Sequence, residues 1–413
     1  MNVKMRIVLL VLFIMSTLPI HGQEVALQEG DRVVFYGDSI TAQRLYTRFV
    51  EDFVLTRNPN LHVSFWNAGV PGDTAYGGYT GNVPTRLKRD MLPYRPTVVT
   101  VMLGMNDGYY MEFNPKYLEV FENGYRQLLG SIKSTAPTAR VALISPTPYD
   151  EATHGTEFPH YNETISHHAA FVKELADSSH LGFSDFNRAE TELLQAGKEK
   201  NPLLAKLLIV DRIHPAEASQ WVMAAALARS LGISPVVSSL RLDAAHGKTV
   251  AMQNTEISDF SMKDGGLQWT QTDKALPLPL QLDDEMIQFV ISISDLTSMD
   301  QQILRVDGLT AASYALKIDG HRIASFTREQ CASGVNLALH ATPMESQAKG
   351  VDGIEAKRTQ LDEAHFILAV ETVEKSDGDA AVTKAFEARD TALQEEQRKA
   401  VQPKPHRFEL SPE

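Results

Sequence analysis

Two short segments of the sequence place a serine and a histidine in settings that suit nucleophilic catalysis. Ser39 follows Gly37 and Asp38 where an apolar run, residues 33–36, ends and a helix-like stretch begins. At the start of a helix, unpaired backbone N–H groups and the helix dipole both favour a negative oxygen. The same Gly-Asp-Ser turn also caps helices that have no catalytic role, so this segment alone does not distinguish the two uses.

The second segment ends in His214, three residues after Asp211. At this spacing the carboxylate can hold the imidazole at Nδ1, which leaves Nε2 free to act as a base. Pro215 follows and begins a predicted helix at residues 216–231. The alternative is a capping aspartate beside an incidental histidine, since the chain contains 13 histidines.

Two further segments supply neutral hydrogen-bond donors. Gly72 lies in a glycine-rich loop, residues 69–81, and a glycine lets its backbone N–H approach a substrate closely. Asn106 follows Gly104 at the end of another apolar run, where its amide would suit a developing negative oxygen. Taken singly, each of these segments is also typical of an ordinary loop or Asx turn.

The elements that must position these residues alternate along residues 31–231. Short apolar runs are interrupted by helix-like stretches, which is typical of a parallel sheet covered on both faces by helices. The runs are residues 33–36, 63–66, 97–103, 140–145 and 181–186, and the stretches include residues 41–55, 121–132 and 165–176. Ligands bind such sheets beyond the carboxyl ends of the strands, and all four segments follow predicted strand ends.

Along the chain the four segments supply first a nucleophile, then two hydrogen-bond donors, and then an acid and a base. In this order they resemble the motifs of the SGNH (GDSL-type) hydrolase superfamily. The resemblance covers about residues 30–235, and all four motifs are intact. The matching positions are Gly37-Asp38-Ser39, Gly72, Gly104-Met105-Asn106-Asp107 and the segment from Asp211 to His214. It implies a three-layer α/β/α sandwich with a parallel sheet.

The resemblance also implies the roles of the matched residues. Ser39 would be the nucleophile, His214 the general base, and Asp211 the group that orients the histidine. The oxyanion hole would consist of the Ser39 and Gly72 backbone N–H groups and the Asn106 side chain. This chemistry needs no metal or organic cofactor, and the other histidines, such as those at 160, 167 and 168, are spaced unlike a zinc site.

The substrate is expected to be a small-molecule or polysaccharide ester. Tyr109, Tyr110, Phe113 and Tyr149 lie near predicted strand ends and would form an aromatic platform for sugar rings or acyl groups. An export signal and the superfamily together favour removal of acetyl groups from a carbohydrate. The alternatives are a lysophospholipase or acyl-thioester hydrolase, a sugar O-acetyltransferase, and a non-enzymatic carbohydrate-binding protein.

Composition and the N-terminus predict an exported protein. The formal net charge of −13 argues against binding to nucleic acid, which requires clustered cations. Lys4 and Arg6 precede an apolar run, residues 7–20, that is shorter than the roughly 20 residues of a membrane span. This order indicates a signal peptide and a secreted or periplasmic protein without a stable membrane anchor. Cys331 is the single cysteine, so no internal disulfide is expected.

The pattern changes after about residue 238. We divide the chain into a signal peptide (1–22), a hydrolase domain (23–240), a β-rich accessory region (241–344) and a charged helical segment (345–413). Within the β-rich region, residues 267–272 and 286–293 are predicted strands. Residues 314–318 and 321–326 form a predicted hairpin around an Asp-Gly turn. Helices at about 345–375 and 380–400 should lead to a polar tail.

Overall fold

A computed structural model describes residues 25–155, 157–158, 160–371 and 377–413. The signal peptide that we predict at residues 1–22 lies outside the described residues.

The centre of the N-terminal half is a parallel sheet of five strands. The strands are β1 (Arg32–Gly37), β2 (Ser64–Gly69), β3 (Val98–Met102), β4 (Arg140–Ile144) and β5 (Gly182–Ser184). Their spatial order is β2-β1-β3-β4-β5. Every residue of β3 is buried, because helices cover both faces of the sheet. The order reverses beside β1, which is where open parallel sheets bind their ligands.

Helices form the two outer layers. They are α1 (Ser39–Ala42), α2 (Leu45–Arg57), α3 (Pro115–Thr135), α4 (Tyr161–Ser179), α5 (Phe186–Lys200) and α6 (Glu217–Ser230). Alternate residues of β1 enter opposite cores, with Phe35 packing beneath α2 and α6 and Tyr36 packing beneath α3. The predicted three-layer sandwich is therefore confirmed. The helix that we predicted at residues 41–55 is interrupted at Arg44, whose φ is 62°.

Eight strands of six or more residues lie in the described part of the C-terminal half. They are β6 (Val236–Asp243), β7 (Lys248–Gln253), β8 (Thr255–Lys263), β9 (Gly266–Asp273), β10 (Gln301–Asp307), β11 (Ser313–Ile318), β12 (His321–Thr327) and β13 (Pro405–Pro412). One sheet has the order β8-β9-β13-β11-β12, and the other joins β10, β6 and β7 to a short strand, Val335–Asn336. The predicted hairpin is confirmed as β11 and β12.

Two segments differ from the sequence expectations. Residues 286–293 form a helix, α7 (Glu285–Ile293), and not a strand. Asp284 caps this helix by accepting hydrogen bonds from two backbone N–H groups, and a short apolar run does not by itself distinguish a strand from a buried helix. The expected polar tail forms β13, in which alternate residues are buried, at the centre of a sheet.

The remaining elements connect these layers. A hairpin of two long helices, α8 (Pro343–Glu371) and α9 (Asp377–Ala400), contacts the N-terminal half where α8 packs on α2. Shorter helical turns are Val83–Arg86, Leu87–Met91, Leu92–Tyr94, Glu151–His154, Pro202–Ala205, Leu296–Met299, Arg328–Ser333 and Leu337–Leu339, and short strands lie at Gly77–Gly78 and Gly81–Asn82. Among the described residues, none of the helices has the length and apolar character to span a bilayer.

Candidate active site

Ser39 begins α1 immediately beyond the carboxyl end of β1. The Asp38 carboxylate caps this helix by accepting a hydrogen bond of 3.0 Å from the Ile40 N–H. Position 37 has no room for a side chain, because a Cβ there would lie 2.1 Å from Thr41 Oγ1. A tight strand-to-helix turn thus presents the Ser39 side chain at the edge of the sheet.

The structure brings Ser39, His214 and Asp211 together although 175 positions separate the serine from the histidine. The distance from His214 Nε2 to Ser39 Oγ is 2.8 Å, and that from His214 Nδ1 to Asp211 Oδ2 is 2.6 Å. Asp211 Oδ1 also accepts hydrogen bonds from the Ile213 and His214 backbone N–H groups. Burial alone would raise the pKa of Asp211, but the hydrogen bonds from His214 and Ile213 hold it below its usual value.

Arg212 positions the loop between these two residues, a role that sequence reasoning missed. Its φ is 69°, in the left-handed region that residues other than glycine rarely adopt. Its carbonyl accepts a hydrogen bond of 2.9 Å from the Asp150 N–H, and its guanidinium pairs with Glu157 at 2.9 Å. These contacts tie the His214 loop to the segment that follows β4. No local pattern marks an arginine for a left-handed conformation, so the sequence carried no signal for this role.

Each of the three groups that we predicted for an oxyanion hole keeps one donor hydrogen without a protein acceptor among the described residues. Asn106 Nδ2 donates one hydrogen bond, of 2.9 Å, to the Asp73 carbonyl. Within the described part of the chain, its second amide hydrogen and the backbone N–H groups of Ser39 and Gly72 have no acceptor. Gly72 has a φ of 72°, and a Cβ there would meet no atom within 4 Å, so this backbone faces open space.

Tyr110 orients the Asn106 amide. Its hydroxyl donates a hydrogen bond of 3.0 Å to Asn106 Oδ1. This bond fixes which side of the amide carries the oxygen, so that the nitrogen lies on the side of the Asp73 carbonyl. Burial raises the pKa of Tyr110 to about 12, so the hydroxyl remains a donor across the neutral range. We expected Tyr110 to contact substrate; the structure gives it a bond to the predicted oxyanion donor.

Arg86 is a second residue that sequence reasoning missed. Its side chain is fully buried and forms ion pairs with Asp73 at 2.9 Å and Asp90 at 2.6 Å. Its guanidinium also donates to the carbonyls of Gly37 and Ala68, at the carboxyl ends of β1 and β2. Arg86 therefore joins the turn before Ser39 to the loop that follows Gly72. Apart from Asp90, four residues along the chain, its partners are 13 to 49 residues away, so nothing local distinguishes it from a surface arginine.

Three carboxyl groups are buried beneath the site. Burial is the main reason why the pKa of Asp38 rises to about 7, that of Asp107 to about 7 and that of Asp73 to about 6. Hydrogen bonds from backbone N–H groups partly lower the pKa values of Asp38 and Asp107, and the positive charge of Arg86 partly lowers that of Asp73. Repulsion also contributes, because the charges of Asp107 and Asp73 raise the pKa of Asp38 and the charge of Asp73 raises that of Asp107.

These raised pKa values predict that the protein loses stability as pH rises from about 4 to about 7. Below about pH 4 both folded and unfolded chains hold these protons, whereas between pH 4 and 7 only the folded chain does. Asp38→Asn keeps an acceptor for the Ile40 N–H but removes the ionisation. We expect it to increase the free energy of unfolding by about 2 kcal/mol more at pH 8 than at pH 5.

Urea denaturation followed by circular dichroism at the two pH values measures this difference. Asp284→Asn is the control, because Asp284 is an exposed residue that caps α7 in the same way. If the effect of Asp38→Asn were the same at both pH values, the buried carboxyl would not be the titrating group.

The predicted aromatic platform is only partly present. Tyr109 is 58% exposed and contacts Tyr117 edge to face. Tyr149 is only 1% exposed, with its ring against Phe158 and Tyr161, so it presents no open face and its contact with substrate stays a prediction. Its apolar ring is used to fill the space behind the loop after β4. Phe113 stacks on His167 at 3.8 Å between ring centres.

The other histidines near the site serve structural roles. His168 is buried, lies 2.8 Å from the Gly104 carbonyl through Nδ1, and stacks on Phe121. Burial lowers the pKa of His168 to about 4, so this ring is neutral at physiological pH. His160 precedes α4 in a left-handed conformation. Among the residues that the structure describes, no cluster of three or more histidine, cysteine, aspartate or glutamate side chains could hold a metal ion.

Comparison with known proteins agrees with this geometry. The sequence profile of the GDSL-like Lipase/Acylhydrolase family matches residues 35–222. An acetylxylan esterase from Geobacillus stearothermophilus is 25% identical over 230 residues, which are 51% of this chain and 97% of that protein. The solved structure of BT4096, a gut microbial diltiazem-metabolizing enzyme, is similar over 95% of this chain and 100% of that one, with 25% identity and a TM-score of 0.81.

The matched residues include the strand-end segments described above, from Ser39 to the histidine that contacts it. The similarity to BT4096 extends through the C-terminal sheets and the helical hairpin. Residues 35–222 therefore match the GDSL-like lipase/acylhydrolase family, and the chain is a carboxylic-ester hydrolase of the SGNH type.

Proposed function

We propose that this protein is a secreted serine hydrolase that removes acetyl or other short acyl groups from a carbohydrate. The observation that carries the proposal is the position of His214, which lies 2.8 Å from Ser39 Oγ and 2.6 Å from Asp211 Oδ2. A nucleophile, a base and a group that orients the base are the arrangement that acyl transfer requires. Export rests on the signal peptide that we predict from residues 1–22.

The reaction follows from these positions. As Ser39 Oγ attacks the ester carbonyl carbon, His214 Nε2 takes the hydroxyl proton, and the Asp211 carboxylate stabilises the imidazolium. Collapse of the tetrahedral intermediate breaks the ester bond, and the imidazolium gives its proton to the leaving alcohol oxygen. His214 then removes a proton from water, which attacks the acyl-serine. The second tetrahedral intermediate collapses, the carboxylic acid leaves, and the imidazolium returns its proton to Ser39 Oγ.

The free donors on Ser39, Gly72 and Asn106 would stabilise the oxyanion of both tetrahedral intermediates. Such donors act on charge that develops in the transition state, and removal of one typically slows catalysis about 10²–10³-fold. Burial keeps Asp38 and Asp107 partly protonated at neutral pH, which limits the negative charge beneath the oxyanion.

The proposed substrate class draws on two supports. The relative named acetylxylan esterase is similar to 51% of this chain over 97% of its own length. Tyr109 offers an exposed aromatic face on which a sugar ring can stack. A second candidate is a small-molecule ester. The likeness to a diltiazem-metabolizing enzyme favours it, because that likeness covers nearly the whole chain.

A chain-length series of p-nitrophenyl esters from acetate to octanoate, run beside acetylated xylan, acetylated pectin and diltiazem, tests this proposal. We expect kcat/KM to be highest for acetate and to fall towards octanoate, with acetate released from at least one polymer. A preference for octanoate would indicate a lipase or acyl-thioester hydrolase. Rapid turnover of diltiazem without release from either polymer would favour the small-molecule candidate.

The hydrogen bond from Tyr110 to Asn106 predicts a specific kinetic effect. Tyr110→Phe removes the hydroxyl that fixes the amide, so we expect kcat to fall roughly three- to tenfold, the loss of about one hydrogen bond. KM should change little, because the amide acts on the oxyanion more strongly than on the bound ester. Tyr109→Phe is the matched control and should leave kcat unchanged. Equal kcat values for the two variants would mean that Asn106 is held by other contacts.

A further inference from the structure

The helix that carries Ser39 is too short to be stable without contacts to other parts of the protein. The helix α1 contains four residues, Ser39–Ala42, and a single isolated turn is unstable in water. The alignment of Ser39 with His214 therefore depends on contacts that hold both ends of α1. At its N-terminal end the Asp38 carboxylate caps the helix. Near its C-terminal end Asn67 Nδ2 donates a hydrogen bond of 2.7 Å to the Thr41 carbonyl.

Arg44 supplies the contact at the last residue of α1. Its Nη1 donates a hydrogen bond of 3.2 Å to the Ala42 carbonyl, and its backbone adopts a φ of 62° between α1 and α2. The left-handed conformation ends the short helix and turns the chain into the next one. Arg44 is only 5% exposed, so its charge requires a partner.

That partner belongs to the helical hairpin more than 300 positions away. Arg44 Nε and Nη2 lie 3.1 and 3.0 Å from the same oxygen, Asp362 Oδ2, on α8. The guanidinium also lies 5.5 Å from the centre of the Phe366 ring. Asp362 and Phe366 thus contact the Arg44 guanidinium, which in turn bonds to the last residue of α1.

Packing alone does not fix the Arg44 side chain. It lines a pocket between β2, α2 and the hairpin, whose other walls include Trp66, Tyr94 and Phe386. A side chain beside an open space can adopt other rotamers unless polar contacts restrain it. The bonds to Asp362 and Ala42 provide that restraint.

We infer that Arg44 and Asp362 are positioning residues for the reaction, through which the C-terminal helical hairpin aligns the Ser39 helix with His214. The inference rests on the proposed function, in which Ser39 is the nucleophile. It assigns to the hairpin a role in catalytic geometry, although every group that would touch the substrate lies in the N-terminal half.

A second ion pair between the same two helices provides a matched control. Arg48 Nε on α2 donates a hydrogen bond of 2.8 Å to Asp352 Oδ1 on α8, and no contact joins either residue to α1 among the described residues. A role limited to docking of the hairpin would make Asp362→Asn and Asp352→Asn equivalent. A positioning role would separate them.

The experiment compares full-length wild type, Asp362→Asn, Arg44→Lys and Asp352→Asn. The second-order rate constant for labelling by a fluorophosphonate reports the reactivity of Ser39, and urea denaturation reports stability. For Asp362→Asn we expect labelling and kcat on p-nitrophenyl acetate to fall about tenfold with KM unchanged, because a small displacement of a reacting atom costs rate. Arg44→Lys should also slow labelling, since an ammonium cannot reproduce the guanidinium fork.

For Asp352→Asn, labelling should stay within about twofold of wild type, even if its unfolding midpoint falls as far as that of Asp362→Asn. Labelling of Asp362→Asn at the wild-type rate would overturn the inference, and so would equal slowing of Asp362→Asn and Asp352→Asn. Absence of label on Ser39 in wild type is a different result. It would overturn the proposed nucleophile, and this inference with it.

Discussion

Replacing Ser39 with alanine is expected to lower kcat/KM for p-nitrophenyl acetate by at least about 10⁴-fold, the scale of loss when a triad member is removed. The serine oxygen is the only group in the proposed mechanism that bonds to the acyl carbon, and His214 lies 2.8 Å from it. Because the two residues act as one unit, His214→Ala should cost a similar factor. The double variant should be little worse than either single variant.

A fluorophosphonate supplies an independent measurement of the same assignment. It should label wild type at Ser39, as located by mass spectrometry, and should fail to label Ser39→Ala. Ser131→Ala is the control, because Ser131 lies half-buried on α3 with its hydroxyl bonded to the Gln127 carbonyl. Circular dichroism must show that all the variants are folded. Equal labelling of wild type and Ser39→Ala would rule out Ser39 as the nucleophile.

The second large effect is expected from truncation. A chain that ends at residue 240 contains every residue of the proposed mechanism, yet we expect it not to fold. Arg57 at the end of α2 is fully buried and pairs with Asp300 at 2.6 Å, and it also donates to the Met299 carbonyl. Truncation removes these partners, and an unpaired buried charge costs about 3–5 kcal/mol.

The hydrophobic core adds to this cost. Side chains from residues 278–299, among them Leu278, Ile287 and Phe289, pack in the same core as α2, α5 and α6. Their removal exposes apolar surface on the sandwich, which favours aggregation. Since whole domains are stable by only about 5–15 kcal/mol, the two losses together should prevent folding.

Size-exclusion chromatography and near-ultraviolet circular dichroism test the truncated chain directly. Asp300→Asn in the full-length chain is the control, because it weakens the Arg57 pair but leaves the core intact. It should fold and should unfold at a lower urea concentration than wild type. A truncated protein that is monomeric, folded and active on p-nitrophenyl acetate would show that the C-terminal half is only an accessory, as the sequence pattern alone suggests.

The sequence by itself determined the sheet and the strand ends at which the candidate site lies. Continuous apolar runs such as residues 97–103, alternating with helix-like stretches, indicate a parallel sheet buried between two helical layers. The motifs follow these runs, so the sequence also placed Ser39 and Asn106 beyond strand ends; the structure adds that the two strands, β1 and β3, are neighbours. These conclusions are local, because each depends on a short window of residues and on the period of its apolar side chains.

Only the tertiary structure decided which distant residues support the site. The partners of Arg44 and Arg57 lie more than 200 positions along the chain, and no periodicity specifies such a pairing. For the same reason the sequence did not reveal that residues 405–412 pair at the centre of a sheet. A buried charge requires an opposite charge and a strand requires a neighbouring strand, but the residue type alone indicates only this kind of partner. Which residue fills that place depends on how the whole chain packs.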